Sequence, residues 1–257
     1  MKRGITIALQ AAGMLWACLA TSLNRPVNVL CKVYYFNEEG EEIFCDTKAT
    51  SPGNYVIRTC KTPREMFPEW YGRDITKSSG NYQPAQVNAI SVSEATEVAR
   101  LIRNGKINDP LVRKNIIPIL DKKSIAKMLS TIKDSCARTM TKRDFREYGG
   151  MINKDTTFTF LRGEPTDPRD ADNKGLLVGV GRRGNFHSHP GGEINEPING
   201  NQTKVSSFVQ GPSYIDQRLI EDKTGYVFGM HEQSQLIYIY DRRGVQATLP
   251  FTYLLSK

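Results

Sequence analysis

Apolar and polar positions alternate at the start of the chain in the manner of strands. The run Val27-Asn28-Val29-Leu30-Cys31-Lys32-Val33-Tyr34-Tyr35-Phe36 reaches the turn Asn37-Glu38-Glu39-Gly40, and Glu42-Ile43-Phe44-Cys45 returns from it as a hairpin. A third run, Tyr55 to Cys60, follows the turn residues Ser51-Pro52-Gly53. Residues 21–62 therefore read as a small β module. Residues 63–90 read as a linker rich in Pro, Gly, Ser and aromatics, expected to pack on a neighbour through Trp70 and Tyr71.

The period then becomes helical. Ser91-Val92-Ser93-Glu94 has capping-box spacing and leads into Val98, Leu101 and Ile102 before Asn104-Gly105. Asp109-Pro110 starts a second helix that Pro118 cuts short, and a third spans about Ser124 to Met140, with Ile125, Met128, Leu129 and Ile132 on one stripe. This gives a helical segment over 91–140. From 141 to 257 strand patterns return: Arg146 to Ile152, Thr156 to Phe160, Leu176 to Val180, Gly225 to Gly229 and Gln235 to Asp241. A loop of Pro, Asp and Gly covers Gly163 to Gly175. Another, from Gly191 to Gly211, is long and has no clear periodicity, which makes it a candidate for substrate gating. A helix start follows at Ser213, and Thr248 to Leu255 forms a last strand or tail. The fold class is α/β.

Composition changes this picture little, and the N-terminus changes it more. With 257 residues, 39% apolar and 24% charged, the chain is ordinary for a globular protein. A net charge of +8 is a mild basic bias, but no lysine or arginine run exceeds two, so nucleic acid is not the expected partner. Lys2-Arg3 precede the largely apolar stretch Ile5 to Ala20, whose only polar side chains are Thr6 and Gln10; residues 1–20 read as a secretory signal peptide. Leu15-Trp16-Ala17-Cys18 is similar to a bacterial lipobox, which would anchor the chain to a membrane through Cys18. Trp16 departs from the small residue usual there, and lipidation ranks below simple cleavage. Cys31, Cys45, Cys60 and Cys136 would remain after cleavage, an even number that suggests one or two disulfides with the pairing open.

The chemistry concentrates at Asn185-Phe186-His187-Ser188-His189-Pro190, which holds two of the chain's three histidines. Positions i and i+2 of an extended segment share a face, so His187 and His189 can converge on one cation. Upstream stands Glu147-Tyr148-Gly149-Gly150, and downstream Ser213-Tyr214-Ile215-Asp216. Two neutral imidazoles and one carboxylate leave a zinc ion positive with a position open for water, the pattern of a catalytic site.

The order Glu-x-Gly-Gly, apolar-His-x-His-Pro, Ser-x-x-Asp resembles the JAMM (MPN-plus, Jab-like) zinc metallopeptidases over roughly Asp144 to Asp241. The resemblance implies a Jab-like, cytidine-deaminase-like mixed sheet with flanking helices. It implies zinc held by His187, His189 and Asp216, with Glu147 acting on the metal-activated water and Ser213 supporting the oxyanion. The implied protein is an exported, periplasmic or secreted hydrolase of a peptide or isopeptide bond in a protein or peptide substrate. The stretch between Pro190 and Ser213 is longer than usual in that family, which leaves His231 and Glu196 as alternative ligands. Two other readings stand beside it: a non-catalytic binding or structural envelope protein of the same fold, and a basic nucleic-acid-binding protein using Arg182, Arg183, Arg242 and Arg243.

Overall fold

The computed structural model describes residues 30–71, 83–140, 145–165, 176, 178–191, 193–199, 202–232 and 235–255, with side chains of 134–140, 193–199 and 202–207 left aside. The predicted leader, Cys18 and the Cys136 side chain lie outside the described residues, as do Gly72 to Tyr82 of the linker and most of the loop before Leu176.

The protein is mixed α/β, with two mixed sheets and a separate hairpin. The first sheet takes β1 (Val33–Phe36), β2 (Glu42–Asp46), β3 (Gly53–Ile57) and β4 (Ile116–Ile119) in the order β2-β1-β3-β4. A disulfide joins Cys31 to Cys45 across the β1–β2 hairpin, and Cys60 is a free thiol. This is the pairing that the cysteine count left open, and it is consistent with an oxidising environment. No helix among the described residues is long and apolar enough to cross a membrane.

Short helices α1 (Pro63–Met66) and α2 (Pro68–Tyr71) lie in the predicted linker. The linker contributes more core than its composition suggests. Met66 and Phe67 are buried, and the Phe67 ring stacks on Tyr238 at 6.3 Å, while Tyr71 stays 46% exposed. Helix α3 (Val92–Arg103) starts at the predicted cap, Ser91, whose side chain accepts from the Glu94 N–H. Helix α4 (Pro110–Asn115) is capped by Asp109 and gives way to β4. Pro118 thus stands in a strand that pairs with β3 rather than within a helix, opposite Tyr55. Edge position explains why it is tolerated, since an edge strand needs only alternate N–H groups in the ladder. Helix α5 (Lys122–Met140) is the long scaffold helix.

The second sheet holds β5 (Arg146–Ile152), β6 (Phe158–Pro165), β7 (Gly184–His189), β10 (Thr224–Gly229), β11 (Leu236–Asp241) and β12 (Gly244–Pro250), in the order β12-β11-β10-β7-β5-β6. Only β7 and β10 run parallel. The predicted strand over Thr156 to Phe160 begins two residues late because Thr156 has a left-handed φ of 62° and belongs to the turn. Leu176 and Val178 to Val180 are not a strand. Their backbone groups bond to side chains instead: Leu176 N–H donates to Glu147, and Val178 C=O accepts from Asn185.

Strand alternation separates two faces of this sheet. Phe186, Tyr226, Phe228, Ile237 and Ile239 pack with Ile125, Met128, Leu129 and Ile132 of α5. The other face carries Val227, Tyr238 and Tyr240, packed with Ile220 just beyond α6 (Tyr214–Leu219). His187 is opposite Val227 in register and so belongs to this second face. The long segment expected to lack periodicity contains a hairpin of β8 (Glu193–Asn199) and β9 (Gln202–Ser207).

Candidate metal centre

Strand β7 ends at the histidines, beside β5 on one side and β10 on the other. Gly149 is opposite His187 in the β5–β7 register, and a Cβ there would stand 2.4 Å from the Phe186 carbonyl and 2.7 Å from His187 Cβ. The glycine at this position lets β5 approach closely enough to bring Glu147 to the histidine face. Asp216 comes from the first turn of α6. Ser213 and Asp216 form a reciprocal capping box at the start of α6, in which Asp216 Oδ2 accepts from Ser213 N (2.8 Å) and Ser213 Oγ (2.7 Å). Residues 83–88 strap that helix start to the sheet. Tyr214 N–H donates to Gln83 O, Ala85 N–H to Pro212 O and Val245 N–H to Gln86 O.

The result is a buried cluster. His187 Nε2 and His189 Nε2 are 3.2 Å apart, and His187 Nε2 is 3.6 Å from Asp216 Oδ1. Glu147 Oε1 is 3.7 Å from His189 Nε2, while its Oε2 accepts from Leu176 N–H at 2.6 Å. His189 Nδ1 is 2.7 Å from the carbonyl of Val209. A carbonyl only accepts, so the His189 proton is on Nδ1 and Nε2 presents a lone pair. His187 Nδ1 is buried with no hydrogen-bond partner.

Two ring nitrogens this close, facing each other, need a proton or a cation between them. The electrostatics of these side chains follow that need. Burial alone would push both imidazoles down, but the Asp216 and Glu147 carboxylates overcome it at His187 and raise its pKa. At His189, burial and the neighbouring His187 outweigh Glu147, Asp216 and the Val209 carbonyl and lower its pKa. Burial would raise Asp216, yet His187, His189 and the Ser213 hydroxyl hold it well below the ordinary carboxylate range.

The donor set also fits a metal. The ligand atoms of His187, His189 and Asp216 all lie within 4.8 Å of one another, and among the described residues these three form the group that can hold an ion. Ligand atoms around a tetrahedral zinc, each at about 2.0 to 2.1 Å, are about 3.3 Å apart, close to the two spacings here. His231 is not in the group; its backbone N–H donates to Gln210 Oε1 at 2.8 Å. The Glu196 side chain lies outside the described residues. Of the basic residues singled out, Arg242 pairs with Asp222 and Arg243 with Asp241.

Sequence reasoning missed Gln210. Its side-chain nitrogen donates to Pro190 O (3.0 Å) and Phe208 O (2.9 Å), and its oxygen accepts from His231 N–H. It therefore ties together the two ends of the β8–β9 insertion. The only signal in the chain is a glutamine beside the apolar pair Phe208-Val209.

Compared with known protein families, curated proteins and solved structures, the chain matches none.

Proposed function

We propose that the protein is an exported zinc-dependent hydrolase that cleaves a peptide or isopeptide bond in a protein or peptide substrate, as expected of a JAMM-type domain. The observation that carries this reading is the convergence of His187, His189 and Asp216 with the Glu147 carboxylate 3.7 Å from His189. His187, His189 and Asp216 would hold the ion. Bound zinc supplies Lewis acidity toward water and a substrate carbonyl.

The protein's own groups do the rest. Glu147 Oε2 is occupied by the Leu176 N–H, so Oε1 is the oxygen available to take a proton from water and return it to the leaving amine. Val209 keeps the His189 proton on Nδ1 and so preserves the Nε2 lone pair for a metal. Ser213 is the proposed oxyanion partner, a role that requires its hydroxyl to turn away from Asp216 Oδ2. The β8–β9 hairpin, inserted between His189 and Ser213, is the proposed gate over the substrate. Export rests on the apolar leader, with the Cys31–Cys45 disulfide in agreement.

Elemental analysis of the purified protein tests the metal. One zinc per chain that is lost in His187→Ala supports the reading, and a metal-free wild type after growth with added zinc overturns it. Activity is tested on a fluorogenic peptide library and an isopeptide-linked dipeptide. Glu147→Gln should keep zinc and lose cleavage; equal activity in that variant would refute the role of Glu147.

A further inference from the structure

A second polar site lies where the two sheets and the helices meet. A pocket of about 450 Å³ is lined by Arg58, Asn88, Ser91, Glu94, Lys114 and Arg243 among others. The backbone fixes its walls. Arg58 N–H donates to Asn115 O, Thr59 N–H to Gln246 O, Ile90 N–H to Thr59 O and Asn88 N–H to Val245 O. The Arg243 turn is at the end of β11 remote from Leu236, the residue that lies across β10 from His189. The pocket is therefore separate from the metal centre.

Arg58 is the unusual group. It is only 8% exposed, and its guanidinium is held by two neutral acceptors, Gln246 Oε1 at 2.5 Å and Lys114 O at 3.2 Å. Among the described residues no carboxylate lies within ion-pair distance of it. A buried charge without a counter-ion is costly. Burial and then the repulsion of Arg243 lower the Arg58 pKa against the weaker pull of Asp241 and Glu94. Two more cations face the same space on exposed side chains. Arg243 is anchored by Asp241 Oδ2 at 2.6 Å, and Lys114 Nζ is 3.9 Å from Glu94 Oε1. The Glu94 carboxylate is itself engaged, accepting from Asn115 Nδ2 at 2.8 Å. Helix α3, twelve residues long, begins at Ser91 on the pocket wall, so its positive end adds to the same field.

We propose that this pocket binds a small oxyanion, a phosphate or carboxylate group seated between Arg58, Arg243 and Lys114. The fork of Arg58 is pre-set by Gln246 and Lys114 O, so the anion meets an ordered donor rather than a mobile one. Arg243 and Lys114 close the site from the solvent side. A phosphate or carboxylate supplies the counter-charge that Arg58 lacks.

The test is calorimetric titration of the full chain with inorganic phosphate, and separately with acetate, at ionic strength held constant with sodium chloride. Saturable binding of either anion is expected, and the stronger of the two identifies the group. Arg243→Gln combined with Lys114→Gln leaves the buried Arg58 in place and should weaken binding by about tenfold or more, the loss of charge-assisted contacts. Phosphate bound by an ion at the histidine cluster would behave differently, surviving that double variant and disappearing in His187→Ala. That pattern, the absence of saturable binding, or unchanged affinity in the double variant each overturns the proposal.

Discussion

Gln210 donates its side-chain amide to the carbonyl of Pro190 at 3.0 Å, joining the residue after the second histidine to the segment that leads into α6. The same side chain donates to Phe208 O and accepts from His231 N–H, and it is fully buried. Between Phe208 and Gln210 is Val209, whose carbonyl receives His189 Nδ1. Gln210→Met removes all three bonds at nearly unchanged size. Leaving buried backbone groups without partners costs about 1 to 3 kcal/mol each, so urea unfolding should show a loss of at least about 2 kcal/mol. Affinity for the proposed zinc ion, measured by chelator competition, should fall by about 10- to 100-fold through the loosened Val209 contact. Unchanged affinity alongside the stability loss would restrict Gln210 to holding the insertion.

Gly149 is the position at which β5 must come close to β7. A methyl group there meets the Phe186 carbonyl and the His187 backbone, neither of which can yield without breaking the ladder. Gly149→Ala should cost about 3 kcal/mol, the upper range for overpacking, and should also displace Glu147 from the histidines. Gly179→Ala is the control, since its Cβ would meet only the flexible Met151 Sδ at 3.4 Å. Thermal unfolding of the two variants should separate clearly, with Gly179→Ala near wild type.

The contrast between these residues explains how far the sequence could be read. His187, His189, Asp216 and Glu147 are chemically conspicuous and sit at spacings that local geometry interprets: alternation along β7, and a capping box at the start of α6. Ser91, Asp109 and the α5 stripe were legible for the same reason, because caps and helical periods are local. Gln210 carries no such local pattern. Its role appears only when Pro190, Phe208 and His231 are brought together by the fold. Phe67 and Met66 looked like linker because burial against Tyr238 is a long-range fact, and β4 looked like an interrupted helix because its partner, β3, lies some sixty residues earlier.

Asp121 gives a pH-dependent prediction away from the site. It accepts from Ser124 N at 2.9 Å and Ser124 Oγ at 2.7 Å at the start of α5. Partial burial would raise its pKa, but the Ser124 bonds prevail and lower it. A carboxyl depressed in the folded state stabilises fully above its unfolded pKa of about 4 and loses that contribution as pH falls through the lower folded value. Asp121→Ala should therefore lower stability near neutral pH by about 1 kcal/mol, as for other caps. The difference between variant and wild type should shrink below about pH 4. Urea unfolding at pH 7 and pH 3 measures it; an equal difference at both would mean that the charge is not involved.

Asp216 performs two tasks with two oxygens: Oδ2 caps α6 through Ser213, and Oδ1 faces His187. Asp216→Asn can satisfy one task only. An amide nitrogen turned to Ser213 sets donor against donor, and turned to His187 it removes the proposed ligand oxygen. Zinc affinity should fall by about 100-fold or more, because the ligand charge is lost in either orientation. Ser213→Ala removes the hydroxyl half of the cap, which costs about 1 kcal/mol, and leaves the carboxylate in place with a looser hold. Its effect on zinc should be the smaller one, about tenfold, as for other groups that orient a ligand. The order of the two variants in chelator competition is decisive: if Ser213→Ala lost zinc as completely as Asp216→Asn, the serine would be binding the ion or fixing the whole helix, rather than orienting one carboxylate.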